Sequence, residues 1–65
     1  MSVERVERGW IYVRGERLDD GGFRLGSGGE LKFSPAEALQ ERKAAAIPAS
    51  AILAASVQRL AFWRR

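Results

Sequence analysis

The apolar positions of the chain change their rhythm once. Up to Phe33 they come in short alternating runs separated by glycine and aspartate. From Pro35 onward they come in longer stretches at helical spacing, padded with alanine. Trp10-Ile11-Tyr12-Val13 has the aromatic and β-branched composition of a strand. Asp19-Asp20-Gly21-Gly22 has turn chemistry, because Asp and Gly tolerate the backbone a tight turn demands. Phe23-Arg24-Leu25 alternates at period two, Gly26-Ser27-Gly28-Gly29 reads as a second turn, and Glu30-Leu31-Lys32-Phe33 alternates again. The pattern predicts a three-stranded antiparallel meander over about 9–18, 23–26 and 30–33. Val3 and Val6 are candidates to extend the sheet, although a spacing of three does not fit one face of a strand.

The helical half opens on a clear signal. Ser34 is a good N-cap, Pro35 suits the first helical position, and Glu37 completes a capping box, with Phe33 just before it as a staple residue. A helix is expected from Pro35 to about Ala46. Pro48 disfavours helical geometry at Ile47, so the rest is expected as a second helix over roughly 49–63, a single Pro-kinked helix being the alternative. Ala49, Ile52, Leu53, Ser56, Val57, Leu60 and Trp63 share one broad face of this last helix, and Phe62 falls on a smaller apolar face with Ala51 and Ala55. The broad face is expected to point inward, so that Leu25, Leu31, Ile52, Val57 and Leu60 make the core. The small face is left to meet a neighbour; of the two apolar sides of the first strand, one is expected under the chain's own helices and the other against a partner or the N-terminal arm with Val3 and Val6. The fold class is thus α+β in a single domain, with residues 1–33 as β meander and 34–65 as helical half.

Composition sharpens this picture. All seven glycines precede residue 30 and all ten alanines follow residue 35, which places the change of secondary structure at 32–35. A chain of 65 residues buries a small share of its surface, and domains of this size usually add a disulfide, a metal or a partner as a staple. The sequence holds no cysteine and no histidine, so disulfides and the commonest transition-metal ligands are out, and a partner is the expected staple. No metal or other cofactor is expected.

The same two absences remove the usual general base and the strongest common nucleophile, so a non-enzymatic protein with no catalytic residues is expected. Asp19 and Asp20 are more simply turn formers than a carboxylate pair. Gly26–Gly29 lacks the lysine and the following helix of a phosphate loop. Residues 1–9 carry Glu4, Arg5, Glu7 and Arg8 and no apolar h-region, so no secretory signal is expected. A span over 44–63 would have to bury Arg59, so a membrane partner is not expected either.

The net charge of +3 comes wholly from residues 34–65, with five basic and two acidic side chains against six of each in residues 1–33. Two functional readings follow. The leading one is a small protein–protein interaction or assembly subunit, homo-oligomeric or part of a larger complex, whose interface includes Trp10, Tyr12, Phe62 and Trp63. The alternative is a small basic DNA- or RNA-binding protein, with Arg14, Arg17, Arg24, Arg59, Arg64 and Arg65 contacting phosphate. Compact chains of this kind are frequent in phages and mobile elements, which sets the expected location as the cytoplasm or, for a phage protein, the virion.

Overall fold

The computed structural model describes residues 3–41 and 47–63, and the side chains of all of these except Ser27, Glu41, Phe62 and Trp63. Three strands, β1 (Val3–Glu7), β2 (Trp10–Arg17) and β3 (Phe23–Phe33), are followed by two helices, α1 (Pro35–Glu41) and α2 (Ala49–Trp63). The strands form one antiparallel sheet in the order β1-β2-β3, so the expected α+β architecture of a meander followed by two helices holds. The expected helical stretch 42–46 lies outside the described residues, as do Arg64 and Arg65.

The strand boundaries differ from the expected ones in an instructive way. The first strand is the N-terminal segment, and the runs 23–26 and 30–33 belong to one strand. Val3 faces Val13 and Val6 faces Ile11, while Arg5 faces Tyr12 and the register slips between Val3 and Arg5. An extra residue in a bulge resets the pleat, so two valines three apart reach the same face. A tight turn at Arg8 (φ 56°) and Gly9 (φ 82°) joins β1 to β2. Positive φ at both central residues is the backbone of the two-residue hairpin turn whose twist suits a β-ribbon.

In β3, Glu30 pairs with Arg14 and Leu25 with Gly15, so residues 26–29 are looped out of a continuous strand. Gly26 (φ 87°) and Gly28 (φ 82°) supply the left-handed backbone this requires. Opposite the loop, a Cβ on the buried Gly15 would stand 2.5 Å from the Arg24 carbonyl oxygen, so only glycine lets the strands close there. The sheet bends sharply at this point. Phe23 and Phe33 pair with Arg17 and Ile11, six residues apart on β2 and about 20 Å along a straight strand. Their ring centroids are nevertheless only 5.8 Å apart. The bend wraps the inner face around Phe33, whose ring also lies 5.0 Å from the Arg17 guanidinium carbon.

Between β2 and β3 the expected turn is present: the Leu18 N–H donates to the Gly22 carbonyl at 2.9 Å, the Gly21 N–H donates to the Leu18 carbonyl at 3.1 Å, and Asp20 Oδ1 accepts from the Gly22 N–H at 2.9 Å. The capping box is also present. The Ser34 hydroxyl accepts from the Glu37 N–H at 3.3 Å, and the Glu37 carboxylate accepts from the Ser34 N–H at 3.0 Å. The buried core consists of Ile11, Val13, Phe33, Ala38, Ile47, Ala51 and Ala55. Leu25, Leu31 and Ile52 pack against it half-buried, as do Val3, Val6 and Phe23. Val57 and Leu60, expected in the core, are both exposed.

Candidate functional site

Helix α2 is oriented against its own composition. Ala51 and Ala55 are buried and face the sheet, and Gln58 and Arg59 continue the same inward side at helical spacing. The outward side carries Leu53, Val57 and Leu60, which are 66%, 56% and 58% exposed. Gln58 and Arg59 are turned in and Leu53, Val57 and Leu60 are turned out, while Ile52 packs half-buried against the core. Ala49, Ser50, Ala54, Ser56 and Ala61 are the other exposed residues among the described side chains of the helix, and none of them is charged.

The cause is the hairpin turn. Its peptide at Gly9 is buried, so the N–H and the C=O both need partners. Gln58 Oε1 accepts from the Gly9 N–H at 2.8 Å, and Arg59 Nε donates to the Gly9 carbonyl at 2.9 Å. The other end of the Gln58 amide donates to the Val6 carbonyl at 3.4 Å. Two adjacent side chains thereby satisfy the end of the β1–β2 hairpin and fix the rotation of α2 about its axis. Alanines at 51 and 55 let the helix come close to the sheet. Ala51 and Ala55 of the small apolar face, expected to await a neighbour, thus pack internally; of the broad face expected inside, Ile52 packs against the core and Leu53, Val57 and Leu60 are exposed. Ala51 and Ala55 take the inward position because helix rotation is set by two hydrogen-bonded polar side chains, Gln58 and Arg59.

The outer face of the sheet is the other candidate surface. By strand alternation it carries Trp10, Tyr12, Arg14 and Glu16 of β2, flanked by Arg5 and Glu7 on β1 and by Arg24, Glu30 and Lys32 on β3. Trp10 and Tyr12 are half-buried, and each lies under cations. The Arg5 guanidinium sits 3.9 Å from the Tyr12 ring centroid, and Lys32 and Arg59 lie 4.5 Å and 4.6 Å from that of Trp10. Such contacts are worth about 0.5–1 kcal/mol each at exposed sites.

Carboxylates neutralise most of the cations on this face. Arg5 bonds Glu30 at 2.8 Å and Glu7 at 3.2 Å, Arg14 bonds Glu4 at 3.2 Å, and Arg24 bonds Glu16 at 3.4 Å. Each pair is solvent-exposed and adds little stability, but together they cancel the field that a phosphate backbone would need. The hydrogen bond from Arg14 holds the Glu4 carboxyl below the usual carboxylate range.

Of the residues marked out from sequence, Trp10 and Tyr12 share this charged outer face, Arg14 and Arg24 pair with acids on it, and Arg59 is committed to the turn. Arg17 stands beside Phe33. The side chains of Phe62 and Trp63 lie outside those described. Leu53 was grouped with the inward face, and only the hydrogen-bonding needs of Gly9, invisible in a linear pattern, reveal it as exposed. A shallow depression lined by Ser34, Pro35, Ala36, Ser56, Arg59 and Leu60 separates the start of α1 from α2. Among the described residues no group of three or more acidic side chains could hold a metal ion. No described helix is long and apolar enough to cross a membrane. Comparison with protein-family models, curated proteins and solved structures gives no match.

Proposed function

We propose that this chain is a protein-interaction or assembly subunit that acts through the outward face of α2 and carries out no chemistry of its own. The observation that carries this reading is the inverted helix: Leu53, Val57 and Leu60 are more than half exposed while Gln58 and Arg59 are spent on the Gly9 peptide. Scattered exposed leucines are ordinary, but a contiguous apolar helix face held outward by specific hydrogen bonds marks a docking surface. The thin core supports the same reading. Three of its seven buried residues are alanines, so much of the aliphatic bulk of the chain is left for an intermolecular contact.

The reading as a nucleic-acid binder has less in its favour. Arg14 and Arg24 would have to exchange Glu4 and Glu16 for phosphate, and Arg59 would have to leave the turn. The test is a triple substitution, Leu53→Asn, Val57→Asn and Leu60→Asn, followed by thermal unfolding and binding of an apolar fluorescent dye. The variant is expected to melt close to the wild type and to lose the dye signal that the wild type gives. A variant that unfolds, or one that binds dye as the wild type does, rules the surface out.

A further inference from the structure

Resting on that reading, we infer that the partner on α2 is a second copy of this chain, joined by an antiparallel, two-fold pairing of α2 with α2 centred on Val57. The exposed side chains Ser50, Leu53, Ala54, Val57, Leu60 and Ala61 recur at steps of three and four, the spacing of a helix–helix seam. A two-fold interface is isologous, so residues equidistant from Val57 face one another. Leu53 then meets the partner's Ala61, Ala54 meets the partner's Leu60, and Val57 meets the partner's Val57. Each leucine faces an alanine of the other copy and only Val57 meets its own counterpart, an alternation of large and small that lets two copies of one surface interlock. A parallel pairing would set Leu53 against Leu53 and leave the alanines facing each other across a gap.

Charge points to the same occupant. None of these six residues is charged, so two copies meet without opposing like charges, and an acidic or basic protein surface would find nothing to pair with. A lipid surface fits less well. Amphipathic anchors set cations beside the apolar face, whereas the one cation among the described side chains of α2, Arg59, is bonded to Gly9. Size sets the strength. One helix face is small beside the roughly 800 Å² per partner of a standard interface, so a weak, concentration-dependent dimer is expected.

The chain contains no cysteine, so single introduced thiols report the geometry directly. Sedimentation equilibrium of the full chain from low to high micromolar concentration is expected to follow a monomer–dimer equilibrium. Under mild oxidation Val57→Cys is expected to give a covalent dimer. Leu53→Cys and Ala61→Cys should each cross-link poorly alone and several-fold better when mixed. A chain that stays monomeric at high micromolar concentration overturns the inference. So does Leu53→Cys or Ala61→Cys cross-linking alone as readily as Val57→Cys, or binding to phosphatidylserine–phosphatidylcholine vesicles in place of dimerisation. A monomer that retains the apolar-dye signal leaves the docking surface standing and removes only the second copy as its occupant.

Discussion

Arg59 Nε donates to the Gly9 carbonyl at 2.9 Å, and the same guanidinium lies 4.6 Å from the centroid of the Trp10 ring. One side chain thus clasps the end of the β1–β2 hairpin from the peptide and from the aromatic ring beside it. With Gln58 it decides which side of α2 faces water. The consequences of that clasp can be measured.

Gly9→Ala should loosen it. The residue has φ of 82°, and a Cβ there would run into the Arg59 side chain. The left-handed backbone alone costs an L-residue roughly 1–2 kcal/mol, and displacement of Arg59 adds to it. A clear fall in melting temperature is expected, together with loss of the Trp10 fluorescence signature that the neighbouring cation produces. An unchanged melt would mean that the hairpin turn and α2 are not held together as described.

Gln58→Leu makes α2 more apolar, and a helix packed by hydrophobicity alone would tolerate it. Here it strips the acceptor from the buried Gly9 N–H. Leaving a buried donor unpaired costs about 1–3 kcal/mol. Urea unfolding should therefore show a destabilised variant, and a neutral or stabilising result would count against the polar clasp.

At the start of α1, Ser34→Ala should cost about 1 kcal/mol through loss of the cap, with no effect on association. The reciprocal bond makes the cap pH-dependent. The Ser34 backbone N–H donates to Glu37 and holds its carboxyl below the usual carboxylate range. A depressed folded-state pKa gives stability that is fully present above the unfolded-state value and is lost as pH falls through the folded one. The wild type and Glu37→Gln should therefore differ in melting temperature at neutral pH and converge in acid. A difference that grows on acidification would have the wrong sign.

The outer side of α2 and the core beneath it should respond differently to substitution. Leu53→Asn changes an exposed position and should shift stability by no more than about 0.5 kcal/mol. Phe33→Ala empties the centre of the core and should cost about 3–5 kcal/mol, enough to unfold a domain this small. Comparable losses from both would place Leu53 inside.

Elements with local signals were legible before the fold was seen. The Ser34–Glu37 capping box, the Asp20 turn and the alternation that sends Ile11 and Val13 to one side and Trp10 and Tyr12 to the other all depend on residues close in sequence. What misled were long-range terms. A four-residue glycine run looks the same whether it joins two strands or loops out of one, and only the closeness of Gly15 to the Arg24 carbonyl distinguishes them. Val3 and Val6 fit one face once a bulge is allowed between them. Arg8-Gly9 lacks the Asn or Asp that usually announces a two-residue hairpin. The rotation of α2 was the largest surprise, because periodicity finds a stripe of aliphatic residues but not the buried peptide, some fifty positions upstream, that claims the opposite side.

Helix α2 turns Val57 out and Ala55 in, and thiol labelling reads that orientation in solution. Val57→Cys and Ala55→Cys would each be labelled at high dilution, where the chain is monomeric. The thiol of Val57→Cys is expected to react within a few-fold of its rate in the unfolded chain. That of Ala55→Cys should be slower by on the order of a hundredfold or more, because it must wait for the structure to open. The reverse order, with position 57 protected and position 55 reactive in the monomer, would contradict the orientation of the helix and with it the docking surface.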